Sequence, residues 1–354
     1  MLFDLLSESN LAALVGLGGG ILLGLAARLG RFCTLGAIED YLYGGTDVRL
    51  RMWGIAIGVA VIGSFSLMAS GYLTDRETYY LSIRWMPLAS VVGGLLFGYG
   101  MALAGNCGFG AIARLGGGDL RSFVIVLVMG VSAFVVLNGP FAPLRAAIFP
   151  QTDVLPDEIP PGIAHYLGAA TGMSANTVGI VIGVLILGFS LLSPGLRKKP
   201  AQIFWSAVVG LGILSGWAGT QWIANTGFEA IPVVSHSFSA PVGDTILWWM
   251  TGSARPLSFA VGSVAGIWGG AFIGSLIRGH FRWEACEDPR ELRRQIIGAA
   301  IMGVGAVIAL GCTVGQGLSA MSVLAVSAPI TMAAIFAGAA LGLRQLIVGF
   351  QPAE

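Results

Sequence analysis

Residues 88–110 read LASVVGGLLFGYGMALAGNCGFG: an apolar run over 88–104, then Gly105-Asn106-Cys107-Gly108-Phe109-Gly110. The run is about as long as a helix needs to cross hydrocarbon. The glycine-rich segment that ends it matters more, because a bilayer accepts irregular backbone only where protein buries it or where it lines a cavity. Two further segments repeat the pattern, Gly30-Arg31-Phe32-Cys33-Thr34-Leu35-Gly36 and Gly311-Cys312-Thr313-Val314-Gly315-Gln316-Gly317. Each interrupts or ends an apolar run, and each offers a thiol. Such breaks are expected inside a pathway rather than in surface loops.

Composition places these runs in a membrane. Of 354 residues, 55% are hydrophobic and only 10% charged, against roughly 25% charged in a soluble domain. Apolar segments predict an all-α polytopic membrane protein with about nine crossings, at 11–27, 51–72, 88–105, 122–138, 177–193, 201–217, 257–277, 294–310 and 328–348. Basic residues gather in alternate connections: Arg28, Arg31, Arg49 and Arg51; Arg114 and Arg121; Arg197, Lys198 and Lys199; Arg278 through Arg294. The positive-inside rule then sets the N-terminus outside and the C-terminus in the cytoplasm. The first residues, Met1-Leu2-Phe3-Asp4, are acidic where a signal peptide is basic, so they are assigned to the first helix.

The chain reads as one transport domain over 1–354. Its half-repeats span about 11–138 and 201–348, linked by an extra crossing at about 177–193. An odd number of crossings up to the second half inverts that half relative to the first, the plan of many transporters built on broken helices. The breaks expected in the second half are Gly216-Trp217-Ala218-Gly219-Thr220-Gln221 and 311–317, with Gly110 and Gly315 each three residues after a cysteine. On this pairing Gly219 stands opposite Cys33, which has no thiol counterpart. Prolines between 140 and 161 exclude a long helix there, leaving a short amphipathic segment on the outer face. The stretch 225–256, with Trp248 and Trp249, reads the same way.

A free cysteine is commonly a small buried hydrophobe, and Cys286, in a charged connector, needs no other reading. Cys33, Cys107 and Cys312 differ because all three sit in glycine breaks. No Cys-x-x-Cys pair is present to support a disulfide relay. An apolar site favours the neutral thiol, a weak and soft donor. Beside helix N-termini, whose free N–H groups favour anions, such thiols suit a soft sulfur-bearing anion. Asn106, Gly108, Arg114, Thr313 and Gln316, in or beside the same motifs, are candidate supporting residues of the pathway. Arg114 reads equally as a topology anchor. His165, His236 and His280 form no metal-ligand spacing with the cysteines, so neither metal nor cofactor is expected. Gly16-Leu17-Gly18-Gly19-Gly20 lies within an apolar helix with no preceding strand, and no Walker lysine motif is present. Spacings such as Gly20 to Gly24 mark helix packing.

The three cysteine segments, with Arg114-Leu115-Gly116-Gly117-Gly118 and Gly317-Leu318-Ser319 after the second and third, resemble those of the YeeE/YedE family of bacterial inner-membrane proteins over nearly the whole chain. The resemblance implies an hourglass-shaped helical protein that takes up thiosulfate, or a closely related sulfur anion, through cysteines near its centre. By position these are Cys33, Cys107 and Cys312; Cys286 matches no family motif. It also implies an inner-membrane location, no bound nucleic acid, and a separate cytosolic TusA-like sulfur carrier as partner. The reading is therefore a transporter and not an enzyme. The alternative is a membrane sulfurtransferase that passes sulfane sulfur, as a persulfide, to such a carrier.

Overall fold

The computed structural model describes residues 7–285 and 288–348; Cys286 lies outside the described residues. Long helices alternate with short ones. Helix α1 (Glu8–Leu29) is followed by the short α2 (Thr34–Leu42) and the long α3 (Val48–Ala69). Helix α4 (Pro87–Ala104) leads to the short α5 (Gly108–Leu115) and then to α6 (Leu120–Leu137). Helices α7 (Ile163–Thr171) and α8 (Ala175–Leu191) meet at a bend of 118°. Then come α9 (Pro200–Thr226), the short α10 (Ala240–Thr251) and α11 (Phe259–Ile277). Helix α12 (Pro289–Ile308) reaches the third cysteine break, a helical turn containing the π-helix Gly315–Ala320 follows, and α13 (Ser327–Val348) closes the described chain.

Among the described residues seven helical segments are long and apolar enough to cross a membrane, or eight if the bent α7–α8 pair is one crossing. The protein is an all-helical, polytopic membrane protein. The expected crossing at 294–310 falls in α12, whose first turns carry Arg290, Glu291, Arg293 and Arg294 and form its polar end. Helix starts follow local chemistry: Ser7, Ser174 and Ser258 accept N–H bonds from residues three further on, and α4, α9 and α12 begin with proline, which has no N–H to leave unpaired.

One expected break does not exist. Helix α9 runs without interruption from Pro200 to Thr226, straight through Gly216–Gln221. The small residues there serve close packing instead: a Cβ at Gly216 would meet Ser235, and one at Gly219 would meet Val15. Thr220 donates to the Gly216 carbonyl at 2.8 Å, and Gln221 donates to Glu77 at 2.7 Å, so neither polar side chain needs an opened helix. The irregular segment comes later, at 227–239, before α10. Gly219 is therefore not the counterpart of Cys33.

Basic connections gather on one face. Arg28 donates to the Arg114 carbonyl, Arg278 to the Leu29 carbonyl, and Leu120 N–H to the Glu284 carbonyl. The acidic connections meet on the other, through Arg84–Glu158, His165–Asp75 and the Glu8 carboxylate, which accepts the Phe228 and Glu229 N–H groups. Helix α5 ends at the basic face, and the turn after the third break ends at the acidic face, where Val326 N–H meets the Pro161 carbonyl.

Two glycine stripes hold α1 against α11. Cβ atoms at Gly16, Gly20 and Gly24 would strike the backbone of 259, 263 and 267, and Cβ atoms at Gly262, Gly266 and Gly270 would strike the carbonyls of Ala13, Leu17 and Ile21. With lipid as apolar as any side chain, such backbone contact is what associates membrane helices. Replacing Gly266 by Val should overpack this seam and cost about 1–3 kcal/mol, read as a lower melting temperature in detergent. Gly269→Ala, where an added Cβ meets nothing within 4 Å, should leave melting unchanged or raise it. Cysteine-accessibility labelling, in a chain lacking Cys33 and Cys286, should reach Leu120→Cys from one side of the membrane only and Val326→Cys from the other only.

Candidate functional site

The three cysteine breaks share one local design. Residues two positions before each cysteine, Arg31, Gly105 and Leu310, adopt left-handed backbone with φ of 57°, 74° and 58°. That conformation turns the chain out of the preceding helix, and each cysteine then starts a new one. Only Gly105 adopts it without a steric penalty; for Arg31 and Leu310 it costs about 1–2 kcal/mol each. All three motifs read Cys-x-x-Gly, with Gly36, Gly110 and Gly315 three residues on. Gly110 N–H lies 3.4 Å from Cys107 Sγ, and Gly315 N–H lies 3.4 Å from Cys312 Sγ, so both thiols cap their own half-helices. Cys33 makes no such cap bond and is half-buried.

The breaks bring the three thiols into one neighbourhood. Cys107 is fully buried and interacts with both Cys33 and Cys312. The residues after the two flanking cysteines converge on it: Thr34 Oγ1 is 4.0 Å from Cys107 Sγ, and Thr313 lies beside the same sulfur. Thr313 Oγ1 is buried and makes no well-aligned hydrogen bond among the described residues; Cys107 Sγ is its polar neighbour. Ser237 Oγ lies 3.8 Å from Cys312 Sγ. The N–H groups of Thr34, Leu35, Gly108, Phe109, Thr313 and Val314, in the first turns of the half-helices, have no protein partner among the described residues.

Two cavities approach this cluster from opposite faces. On the basic face, one of about 480 Å³ is lined by Cys33, Asn106, Gly110, Glu39 and the arginines 28, 31, 49, 114 and 278. On the acidic face, one of about 530 Å³ is lined by Tyr79, Tyr80, Ser235, Ser237, Ser239, Ser263, Glu229, Asp244 and Gly311, with no lysine or arginine in its lining. Cys312 follows Gly311 and lies near Ser237, both in the lining of the acidic-face cavity, Cys33 lines the other, and the fully buried Cys107 has both thiols near it. The thiols thus follow in the order Cys312, Cys107, Cys33 from the acidic face to the basic one.

The supporting residues divide into two kinds. Asn106 and Arg114 line the basic cavity. Gly108 makes room for Met129, whose sulfur and methyl group a Cβ would meet at 2.8 Å. Gln316 spends its amide on the break itself: Nε2 donates to the Ala309 carbonyl at 2.7 Å, and Oε1 accepts from Ser327 Oγ at 3.2 Å.

Within the stretch 225–256, expected to hold a short amphipathic segment on the outer face, the short helix α10 carries Trp248 and Trp249, while the segment 233–239 before it is largely buried in the protein interior. It brings Ser237 to Cys312 and buries His236, whose Nδ1 bonds Ser263 Oγ at 2.6 Å while Nε2 has no partner. Ser319 Oγ ties the segment to the third break by donating to the His236 carbonyl at 2.6 Å. The alternation Ser235-His236-Ser237-Phe238-Ser239, too polar for a lipid-facing surface, is the sequence signal that marks it.

Thr313→Val tests whether the buried hydroxyl serves the fold or the pathway. A buried hydroxyl left poorly satisfied costs up to about 1–3 kcal/mol, so valine should leave the melting temperature unchanged or raise it, and a pathway role would show as slower transport in the same variant. Unchanged uptake with higher stability would remove Thr313 from the pathway.

The chain is similar to known transporters over most of its length. A family model described as sulphur transport matches residues 29–341. The thiosulfate transporter TsuA of Escherichia coli (strain K12) is 26% identical over 324 residues, 86% of each chain. A protein of the same name from Spirochaeta thermophila is 24% identical over 316 residues, covering 88% of this chain and 92% of its own. The probable transporter YedE of Salmonella typhimurium is 29% identical over 148 residues, 41% of this chain and 34% of its own. Broken membrane helices, thiols gathered where two opposed cavities approach, and a family match across most of the length lead to one assignment: the chain belongs to the sulphur transport family.

Proposed function

We propose that this protein takes up thiosulfate across the bacterial inner membrane, passing it from Cys312 to Cys107 to Cys33. The observation that carries the reading is the placement of buried Cys107 between Thr34 and Thr313, with a second thiol toward each cavity. The two TsuA relatives, each covered over most of its length, support the choice of anion.

The anion enters the hydroxyl-lined cavity and meets Cys312 and Ser237 first. Neutral S–H and O–H donors hold a soft anion weakly, which a pathway requires: each site must bind well enough to admit the ion and loosely enough to pass it on. The unpaired N–H groups that open the half-helices supply oriented donors at the centre, and backbone dipoles there favour negative charge. At the basic cavity, Cys33 and the arginines receive the ion. No bond to sulfur forms or breaks, and no electron moves.

The charge bias of the two faces supports an N-terminus outside and a C-terminus in the cytoplasm. We further propose that the halves, about 11–138 and 201–348, are inverted repeats in one domain. Each carries two units of long helix, break, short helical segment and long helix. Segment 227–239 then takes the place of the first cysteine break. A separate TusA-like carrier would collect the sulfur at the basic face.

A sulfur-auxotrophic host supplied only with thiosulfate tests the proposal. Growth should depend on this chain, Cys33→Ala, Cys107→Ala and Cys312→Ala should each abolish it, and Cys286→Ala should leave it intact. Cys107→Ser keeps an oxygen to accept the Gly110 N–H, so it should fold normally yet transport poorly. Growth with all four cysteines replaced would end the proposal.

A further inference from the structure

We infer that the basic cavity is an anion-binding subsite in its own right, in which Arg28, Arg31, Arg114 and Arg278 hold a dianionic sulfur oxyanion by charge, without regard to its sulfane sulfur. The inference rests on the transport reading for the ion's route, while the subsite stands on its own geometry. Five arginines line the cavity beside Cys33. Arg49 is paired with Asp40 at 3.2 Å. For the other four, no carboxylate lies within ion-pair distance among the described residues. Among the described residues Arg28 and Arg278 hydrogen-bond backbone carbonyls, with Asp119 and Glu284 beyond ion-pair distance of Arg28 but near enough to act on it through charge. Glu39 is the one carboxylate in the lining among the described residues.

Guanidinium groups without close ion pairs repel one another, and a cleft in which one sign of charge predominates, here five arginines against Glu39, concentrates counter-ions. The backbone is shaped to keep the cluster together. A Cβ at Gly117 would collide with the Arg28 guanidinium, so this glycine leaves the space in which that group lies. Arg28 Nε is buried with no hydrogen-bond partner, a donor that a bound oxyanion or its water would satisfy. Arg31 is held at the rim by its left-handed backbone. The fork of a guanidinium fits tetrahedral oxyanions through paired N–H bonds. With roughly 30 Å³ per water, the cavity has room for such an ion together with several waters.

The two ends of the pathway then discriminate differently. The thiols select for a soft sulfur atom, whereas the arginines select for charge and oxygen. Sulfate, which lacks the soft atom, should therefore occupy the basic cavity and compete there with departing thiosulfate, although it does not cross.

Isothermal titration of the purified full-length protein with sodium sulfate tests the subsite, with sodium gluconate added to hold ionic strength constant. Sulfate should bind near one per chain and bind more weakly as ionic strength is raised. Arg28→Gln and Arg114→Gln should each weaken binding about tenfold or more. Arg28→Lys should recover part of the loss and show that the glutamine variant is folded. Cys107→Ala should leave sulfate affinity within about twofold while abolishing thiosulfate uptake in proteoliposomes. Absence of sulfate binding, or equal affinity in Arg28→Gln, Arg114→Gln and the unaltered chain, would overturn the subsite, as would loss of binding in Cys107→Ala. Arginine-dependent sulfate binding without any thiosulfate uptake by the unaltered chain would instead keep the subsite and reject the transport reading.

Discussion

Hydrocarbon offers no hydrogen bonds, so every helix broken inside the membrane must find partners for its opened backbone within the protein. The cysteine breaks of this chain meet that demand locally. Before each, the last N–H groups fold back onto the preceding helix, as Gly30 does to Ala26 at 2.9 Å and Gly311 to Ala306 at 2.9 Å. After each, the cysteine carbonyl accepts the first bond of the next helical turn, from Ala37, Ala111 and Gln316. Two of the thiols also cap the turns they begin. What remains unsatisfied is a small set of N–H groups at the starts of the half-helices, and these open next to the buried sulfur atoms. The same constraint that makes a break expensive therefore leaves oriented N–H donors beside the buried sulfur atoms.

Close backbone packing makes this arrangement possible. The α1–α11 seam, built on glycines four residues apart on both helices, fixes the helix that ends just before the Cys33 break. Helix α4, which ends just before Cys107, is held in the same manner: Cβ atoms at Gly93 and Gly100 would meet the backbone of Ala309 and Met302 on or at the end of α12, and one at Gly98 would meet that of Ile335 on α13. The cysteine breaks thus hang from seams in which backbones touch directly. A larger residue in a seam would shift a thiol as well as weaken the fold.

Charge is used twice. The arginines that bias the topology also line one of the two cavities, while the opposite cavity carries hydroxyls and carboxylates. Arg114 reads as either an anchor or an attractor, and its place in the wall of the basic cavity is compatible with both.

The sequence alone determined the membrane class, the long helices and the three cysteine segments, because hydropathy length and glycine clustering are local properties. It also marked the Gly20–Gly24 packing face, since a four-residue spacing needs no knowledge of the partner. Tertiary structure decided the rest. Gly216 and Gly219 had the composition of a break but lie in continuous helix, because glycine serves close approach as readily as it serves irregular backbone; only the neighbours, Ser235 and Val15, tell the two uses apart. The stretch 225–256 read as a short amphipathic segment; its tryptophans do lie on the short α10, but residues 233–239 before it enter the interior, where Ser237 meets Cys312. The order of the thiols, Thr34 and Thr313 beside Cys107, and the gathering of arginines around one cavity join residues up to several hundred positions apart. Such contacts arise from helix packing across the two halves, and no local pattern in the chain encodes them.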